Sequence, residues 1–150
     1  HCFTFPREVF IKDGKVCQKP VRELDAKKQQ LQDVQNELTQ SGCPVYEVNV
    51  DGIKENHFQA VLSDELILDY ENGRFQMHFT TKSKTSVSAG RSLRYAEVGT
   101  LKNVKILADT SSVEVFVNDG EFVFSTRYYP NDYKIVVHSP SAHITFDKIQ

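Results

Sequence analysis

The sequence predicts an all-β chain, a two-sheet antiparallel β-sandwich with one short helix. Three observations carry that expectation. First, apolar and polar residues alternate over runs of four to six, as in Val113, Val115 and Val117 against Glu114, Phe116 and Asn118, the period of a half-buried strand. Second, Asp13-Gly14, Asn72-Gly73 and Asp119-Gly120 punctuate such runs. Two-residue type I′ turns need positive φ at both central positions, which Asp and Asn tolerate and Gly adopts freely. Third, about ten to twelve short strands follow one another with frequent turn signals, the spacing of an antiparallel sandwich.

The stretch from Val104 to Pro130 is the clearest. Val104, Ile106 and Ala108 form one run, Asp109-Thr110-Ser111-Ser112 turns the chain, and the hairpin around Asp119-Gly120 follows. A two-residue loop sets Asn118 opposite Glu121, so Val117 faces Phe122, Val115 faces Phe124 and Val113 faces Thr126 on one side. Glu114, Phe116, Val123 and Ser125 fall on the other, mixed side. Such a sheet packs a core on one face only.

Before this meander, Phe3 and Phe5 suggest an entering strand, and Val9–Lys12 pairs with Lys15–Gln18 across Asp13-Gly14. Lys12 then faces Lys15, a like-charge pair suited to an exposed hairpin end. Over 22–40 the period changes: Leu24, Leu31, Val34 and Leu38 share one helical face among Gln, Lys and Glu, and Gly42 and Pro44 stop the run. A helix lying against the sandwich is expected there, since about two heptads are too few for a coiled-coil seam. Tyr46, Val48 and Val50, then Phe58, Ala60 and Leu62, then Leu66, Leu68 and Tyr70, then Phe75, Met77 and Phe79 give four more strands. Residues 81–94 are rich in Ser, Thr, Lys and Gly and read as the longest loop. Tyr133, Ile135 and Val137 alternate, Ser139-Pro140-Ser141 turns, and Ile144, Phe146 and Ile149 close the chain.

Composition bounds the rest. At 150 residues the chain suits one domain, with 39% hydrophobic and 25% charged residues. A net charge of −2 with interspersed signs offers no nucleic-acid or anionic-membrane footprint. No run approaches a membrane span. Cys2, Cys17 and Cys43 form neither a disulfide framework nor a zinc pattern, and free thiols point to a reducing, cytoplasmic location. No Asn-x-Ser/Thr acceptor occurs. The chain opens on His1 inside an apparent strand, so it is expected to be a piece of a longer protein.

Chemistry-bearing motifs are scarce. His1, His57, His78, His138 and His143 lack ligand spacing, and no phosphate-binding Gly-rich loop or nucleophile elbow occurs, so neither metal nor cofactor is expected. Asp109 and Glu114 could pair as carboxylates, but turn-capping and solvated roles suit them better. The candidate site is a surface: Phe116 and Val123 are cross-strand neighbours, with Arg127, Tyr128 and Tyr129 just beyond. A contiguous apolar patch marks an interface unless the same domain covers it.

A family resemblance adds to this reading. The run Ile106 to Gly120, ILADTSSVEVFVNDG, resembles the signature of the C-terminal β-sandwich of glycoside hydrolase family 32, the invertases, sucrose-6-phosphate hydrolases and fructanases. Phe5-Pro6-Arg7-Glu8-Val9, Lys12-Asp13-Gly14-Lys15 and Gln18 to Leu24 resemble the segment joining that family's propeller to its sandwich, and Leu66 to Phe75 resembles its middle hairpin. The resemblance implies a concanavalin- or lectin-like jelly-roll over 1–150 belonging to a larger retaining glycosidase. It implies the parent's N-terminal five-bladed β-propeller as partner, with oligomer contacts a further expectation. In that family the catalytic residues lie in Asn-Asp-Pro-Asn-like, Glu-Cys and Arg-Asp-Pro motifs of the propeller. None occurs here: Asp119 and Asp132 lack a following Pro, no Glu precedes a Cys, and no Arg precedes an Asp. A non-catalytic accessory module is expected. The alternative is a lectin-like sugar-binding module; with no Trp, its planes would be Tyr95, Tyr128, Tyr129 and Tyr133.

Overall fold

The computed structural model describes residues 3–54, 57–80 and 92–150. Its regular elements are the strands β1 (Arg7–Lys12), β2 (Lys15–Pro20), β3 (Lys28–Gln40), β4 (Tyr46–Asp51), β5 (Gln59–Leu62), β6 (Leu66–Glu71), β7 (Arg74–Phe79), β8 (Leu93–Glu97), β9 (Asn103–Ala108), β10 (Ser112–Val117), β11 (Phe122–Arg127) and β12 (Ile135–Ile149), with a 3-10 helix at Arg22–Lys27. The fold is a two-layer antiparallel sandwich with a small separate hairpin, β1–β2.

The layers are joined by β12. Its second half, His143–Lys148, pairs with β4 and continues through β9 and β10 to β11. Its first half, Ile135–His138, pairs with β5 and continues through β6 and β7 to β8. β3 follows β12 along its other edge through both halves. The register breaks between Ser139 and His143, where Ser141 and Asn36 both take positive φ and Asn36 Oδ1 accepts the Ser141 N–H at 2.8 Å. This bulge bends both strands from one layer into the other. Tyr46, Val48, Val50, Ile106, Val115 and Phe146 from the first layer meet Ala60, Leu62, Leu68, Phe75, Ile135 and Val137 from the second in one buried core.

The hairpins take the register that their turns dictate. Val117 pairs with Phe122, Val115 with Phe124 and Val113 with Thr126, and Lys12 pairs with Lys15. Asp13-Gly14, Asn72-Gly73 and Asp119-Gly120 all have positive φ at both central residues.

The segment 22–40 departs from the expected helix. Only Arg22–Lys27 is helical, and Lys28–Gln40 is the strand β3. Val34 and Leu38 face the core, Leu24 packs under the outer face of the first layer, and Leu31 lies exposed at a register shift. The helical spacing was accidental: pairing with the free edge of β12 outweighs the good helix propensity of Gln, Glu and Leu, which tertiary context routinely overrides. Three smaller expectations also change. Phe3 and Phe5 lie outside any strand, 135–149 is one bent strand instead of two, and Leu93 and Arg94 begin β8. Residues 81–91 of the expected long loop lie outside the described residues, as do His1 and Cys2.

The separate hairpin is clamped to the sandwich at one glycine. Gly120 (φ +84°) lies so close to β2 that a Cβ there would sit 1.7 Å from the Gln18 carbonyl oxygen, while the Gln18 N–H donates to the Gly120 carbonyl at 3.0 Å. Replacing Gly120 by Ala adds a backbone clash to a left-handed turn and should cost roughly 1–3 kcal/mol. Urea unfolding should show that loss, and limited proteolysis should cut β1–β2 first; an unchanged midpoint and cleavage pattern would refute the clamp.

Candidate functional site

The outer face of the first layer carries polar residues in register. Asp147, Glu47, Leu107, Glu114 and Ser125 form one row across the sheet, and Asn49, Lys105, Phe116 and Val123 form the next. The N-terminal segment covers this face. Phe5 and Leu24 pack with Leu107, Phe116, Val123 and Ile149. The Arg7 guanidinium lies 5.4 Å from the centre of the Phe116 ring and donates to Glu114 Oε2 at 2.8 and 3.0 Å, and the Phe5 N–H donates to Glu114 Oε1 at 2.7 Å.

Two carboxylates are therefore buried on this face, Glu114 and Glu47, each 1% exposed. Glu47 Oε1 accepts from Lys28 at 2.9 Å, Asn49 at 2.9 Å and Lys105 at 3.1 Å, while Oε2 is buried without a hydrogen-bond partner among the described residues. Burial pushes the Glu47 carboxyl up, but Lys105, Lys28 and Asn49 together outweigh it and hold it below the ordinary glutamate value. Asp147 pairs across the strands with Glu47, and burial and then the Glu47 charge push its carboxyl up.

The five residues of the sequence-derived patch do not stay together. Phe116 is 3% exposed and Val123 half-buried, both beneath the chain's own N-terminal segment. Tyr128 turns into the core between the layers, where its hydroxyl donates to Ser63 Oγ at 2.7 Å. Arg127 and Tyr129 remain exposed, the guanidinium 5.9 Å from the ring centre. Phe116 and Tyr128 therefore face opposite sides of the first layer. Among the proposed sugar-binding planes, Tyr128 is buried, Tyr133 lies in a positive-φ turn, and Tyr95 is exposed on β8 with Arg74 stacked at 4.2 Å. Asp109 caps its turn by accepting the Ser111 and Ser112 N–H groups at 2.7 and 2.8 Å. No group of three or more metal-ligating side chains occurs among the described residues.

What lies outermost is the β1–β2 hairpin. Phe10, Cys17 and Pro20 turn toward the sandwich, while Val9, Ile11 and Val16 are 66, 68 and 60% exposed. Ile11 pairs directly with Val16, and Val9 lies two residues along the same face, so the three form one apolar strip. The like-charged Lys12 and Lys15 are explained here: they reach Asp119 at 2.5 Å and Glu121 at 2.8 Å on the second hairpin. The hairpin was visible in the sequence, but Val9, Phe10 and Ile11 are all apolar, so nothing local indicated which face would be covered.

Between this hairpin and the sheet lies a cleft of about 300 Å³, with Phe10 on the hairpin side and Asn49, Lys105 and Phe116 on the sheet side. Asp51 and Asn103, the next cross-strand pair, also line it.

The family model described as "Glycosyl hydrolases family 32 C terminal" matches residues 62–150, more than half of the chain. The chain belongs to this family. A raffinose invertase of Escherichia coli is 32% identical over 142 residues, covering 86% of this chain and 29% of the relative. A sucrose-6-phosphate hydrolase of Bacillus subtilis (strain 168) is 29% identical over 145 residues, covering 87% of this chain and 28% of the relative. The family 32 module thus spans under a third of the length of these relatives. A glycoside hydrolase family 32 structure from Bifidobacterium adolescentis superposes with a TM-score of 0.78 at 18% identity, over 98% of this chain and 25% of that one. A sucrose-6-phosphate hydrolase structure from Lactobacillus gasseri gives 0.75 at 17% identity, over 96% and 33%. These two share its sandwich fold.

The Glu47 network gives a pH dependence of defined sign. Its folded pKa lies below that of the unfolded chain, so its stabilisation is complete above the ordinary glutamate value and is lost as pH falls through the lower folded value. The thermal midpoint should fall as the pH is lowered through the ordinary glutamate range and below it. Glu47→Gln should lower the midpoint at neutral pH and flatten that acid limb; an unaltered limb would remove Glu47 as its source.

Proposed function

We propose that this chain is the non-catalytic accessory module of a family 32 β-fructofuranosidase, and that it stabilises the parent's catalytic propeller by docking it on the Val9–Ile11–Val16 strip. The observation that carries the docking is the rigidity of that strip. An isolated two-stranded hairpin is marginal in water, yet this one is fixed by Gly120, Lys12–Asp119 and Lys15–Glu121 while its apolar face stays open. It is also the first regular element among the described residues. The relatives, a raffinose invertase and sucrose-6-phosphate hydrolases, are more than three times as long as the matched region, which leaves room for that propeller.

The catalytic assignment follows from the sequence. A retaining glycosidase needs two carboxyl groups flanking the scissile bond, and the family's three catalytic motifs do not occur here. Sucrose or its 6-phosphate is the substrate class that the relatives' names suggest for the parent. A cytoplasmic location suits the two free, buried thiols Cys17 and Cys43. No helix among the described residues is long and apolar enough to cross a membrane.

Ile11→Glu combined with Val16→Glu tests the docking. In the full-length parent the pair should lower the thermal midpoint by several degrees, as expected for about 1–3 kcal/mol of lost burial. The 150-residue chain carrying the same pair should keep its own midpoint. Equal losses in both would make the strip a matter of internal stability alone. Sedimentation of the isolated wild-type chain should give a monomer; a dimer abolished by the same pair would assign the strip to a second copy. Incubation of the isolated chain with sucrose should release no glucose, and release would overturn the accessory assignment.

A further inference from the structure

Glu47 and Asp147 are direct cross-strand partners on the outer face of the first layer, one from β4 and one from β12. Like charges directly opposite one another repel. Nothing described bridges them: every donor to Glu47 goes to Oε1, Oε2 is buried without a partner, and the Asp147 side chain has no hydrogen bond or ion pair among the described residues. We infer that the two carboxyl groups share one proton, carried by Asp147 and donated to Glu47 Oε2, and that this proton latches the end of β12 onto β4. Such a proton-sensing device goes beyond mechanical support of a propeller.

The register puts the donor within reach. The Cβ atoms of a directly opposed antiparallel pair lie about 4.5–5.5 Å apart on one face, a span that two acidic side chains close with a single O–H···O bond. A protonated aspartate has one O–H to give and an ionised one has none. Glu47 Oε2 is an acceptor sealed from water, so the bond it lacks is costly to leave unmade.

The surrounding charges balance only with that proton in place. Lys28 at the start of β3, Lys105 on β9 and Asp25 in the 3-10 helix face the pair. With both members ionised, three carboxylates meet two ammonium groups; with one proton taken up, two meet two. Lys28, Lys105 and Asn49 hold Glu47 in its ionised form, so the proton resides on Asp147, whose carboxyl is pushed up by burial and then by the Glu47 charge. The proton comes from water and returns to it, Asp147 being half-buried where Glu47 is sealed.

The pair sits at a corner where strands begin and end. The Ile149 N–H donates to the Val45 carbonyl at 3.1 Å and the Gln150 N–H to the Lys27 carbonyl at 2.9 Å. Asp147, raised in the folded chain, contributes stability that is present below the ordinary aspartate value and is lost as pH rises through the folded one. The latch is therefore open at neutral pH, and on acidification it offsets part of the loss at Glu47.

Carboxyl-detected NMR titration of the ¹³C-labelled 150-residue chain tests the latch. Asp147 should titrate above the ordinary aspartate value, and in Glu47→Gln its titration should return toward that value. Titration at or below the ordinary value, or one unmoved by Glu47→Gln, would overturn the assignment. Asp147→Asn, whose amide donates without a proton, should raise the thermal midpoint at neutral pH by roughly 3–6 °C. It should also slow hydrogen exchange at the Ile149 and Gln150 amides and steepen the acid limb. Asp147→Ala removes the charge and offers no donor, so it should gain less than half as much. An equal gain in the two variants would reduce the effect to charge relief and remove the shared proton, and a midpoint of Asp147→Asn at or below that of the wild type would do the same.

Discussion

Backbone hydrogen bonding along β12 is the constraint from which the architecture follows. A strand whose residues alternate into a closed core cannot leave a row of N–H and C=O groups unpaired on either side. One edge of β12 is satisfied by β4 and β5, a different strand in each layer. The other edge runs through both layers and needs a partner that bends where β12 bends. β3 meets that need because Asn36 adopts positive φ opposite Ser141, so that both strands turn together. The same irregularities blunt the outer edge of β3, which would otherwise invite strand addition.

That constraint also separates what the sequence discloses from what it hides. The turns at Asp13-Gly14, Asn72-Gly73 and Asp119-Gly120 are local: two residues set the φ angles, the loop length sets the register, and Val115 opposite Phe124 follows by counting. Core-facing positions in β4, β6, β7 and β9 were readable for the same reason, since alternation is a property of neighbours. The strand character of 28–40 was not, because its cause lies about a hundred residues away on β12. The fate of Phe116 was hidden likewise. A hairpin read by itself gives Phe116 an outer face, and only the Arg7–Glu114 pair, separated by 107 residues, reveals that this face is covered.

Buried charge on the first layer is more economical than it first appears. Moving a carboxylate out of water costs several kcal/mol, and a paired cation repays this only with good geometry and further hydrogen bonds. Glu114 receives a guanidinium on one oxygen and a backbone N–H on the other. Glu47 receives two lysines and an amide on a single oxygen. The cation on Glu114, Arg7, comes from the N-terminal segment, whereas those on Glu47 come from the sheet, Lys28 at the start of β3 and Lys105 on β9. Purely apolar contacts would bind that segment as strongly but in many orientations, whereas a carboxylate buried at 1% exposure tolerates only the one that reaches it.

The position of the hairpin follows from this orientation. With Arg7 fixed at its base and Gly120 in contact at Gln18, β1–β2 has little freedom to rotate. Phe10 must then turn inward, and Val9 and Ile11, one residue to either side, must turn outward. The inward turn leaves space above Asn49 and Lys105, because the hairpin stands off the sheet on the Lys12–Asp119 and Lys15–Glu121 bridges at one end and on the Phe5–Phe116 contact at the other. One set of anchors therefore produces both an outward apolar strip and an inward cleft. The two faces cannot be altered independently: a change that loosens the Gly120 contact opens the cleft and disorders the strip together, whereas a change at Asp51, on the sheet, affects the cleft alone.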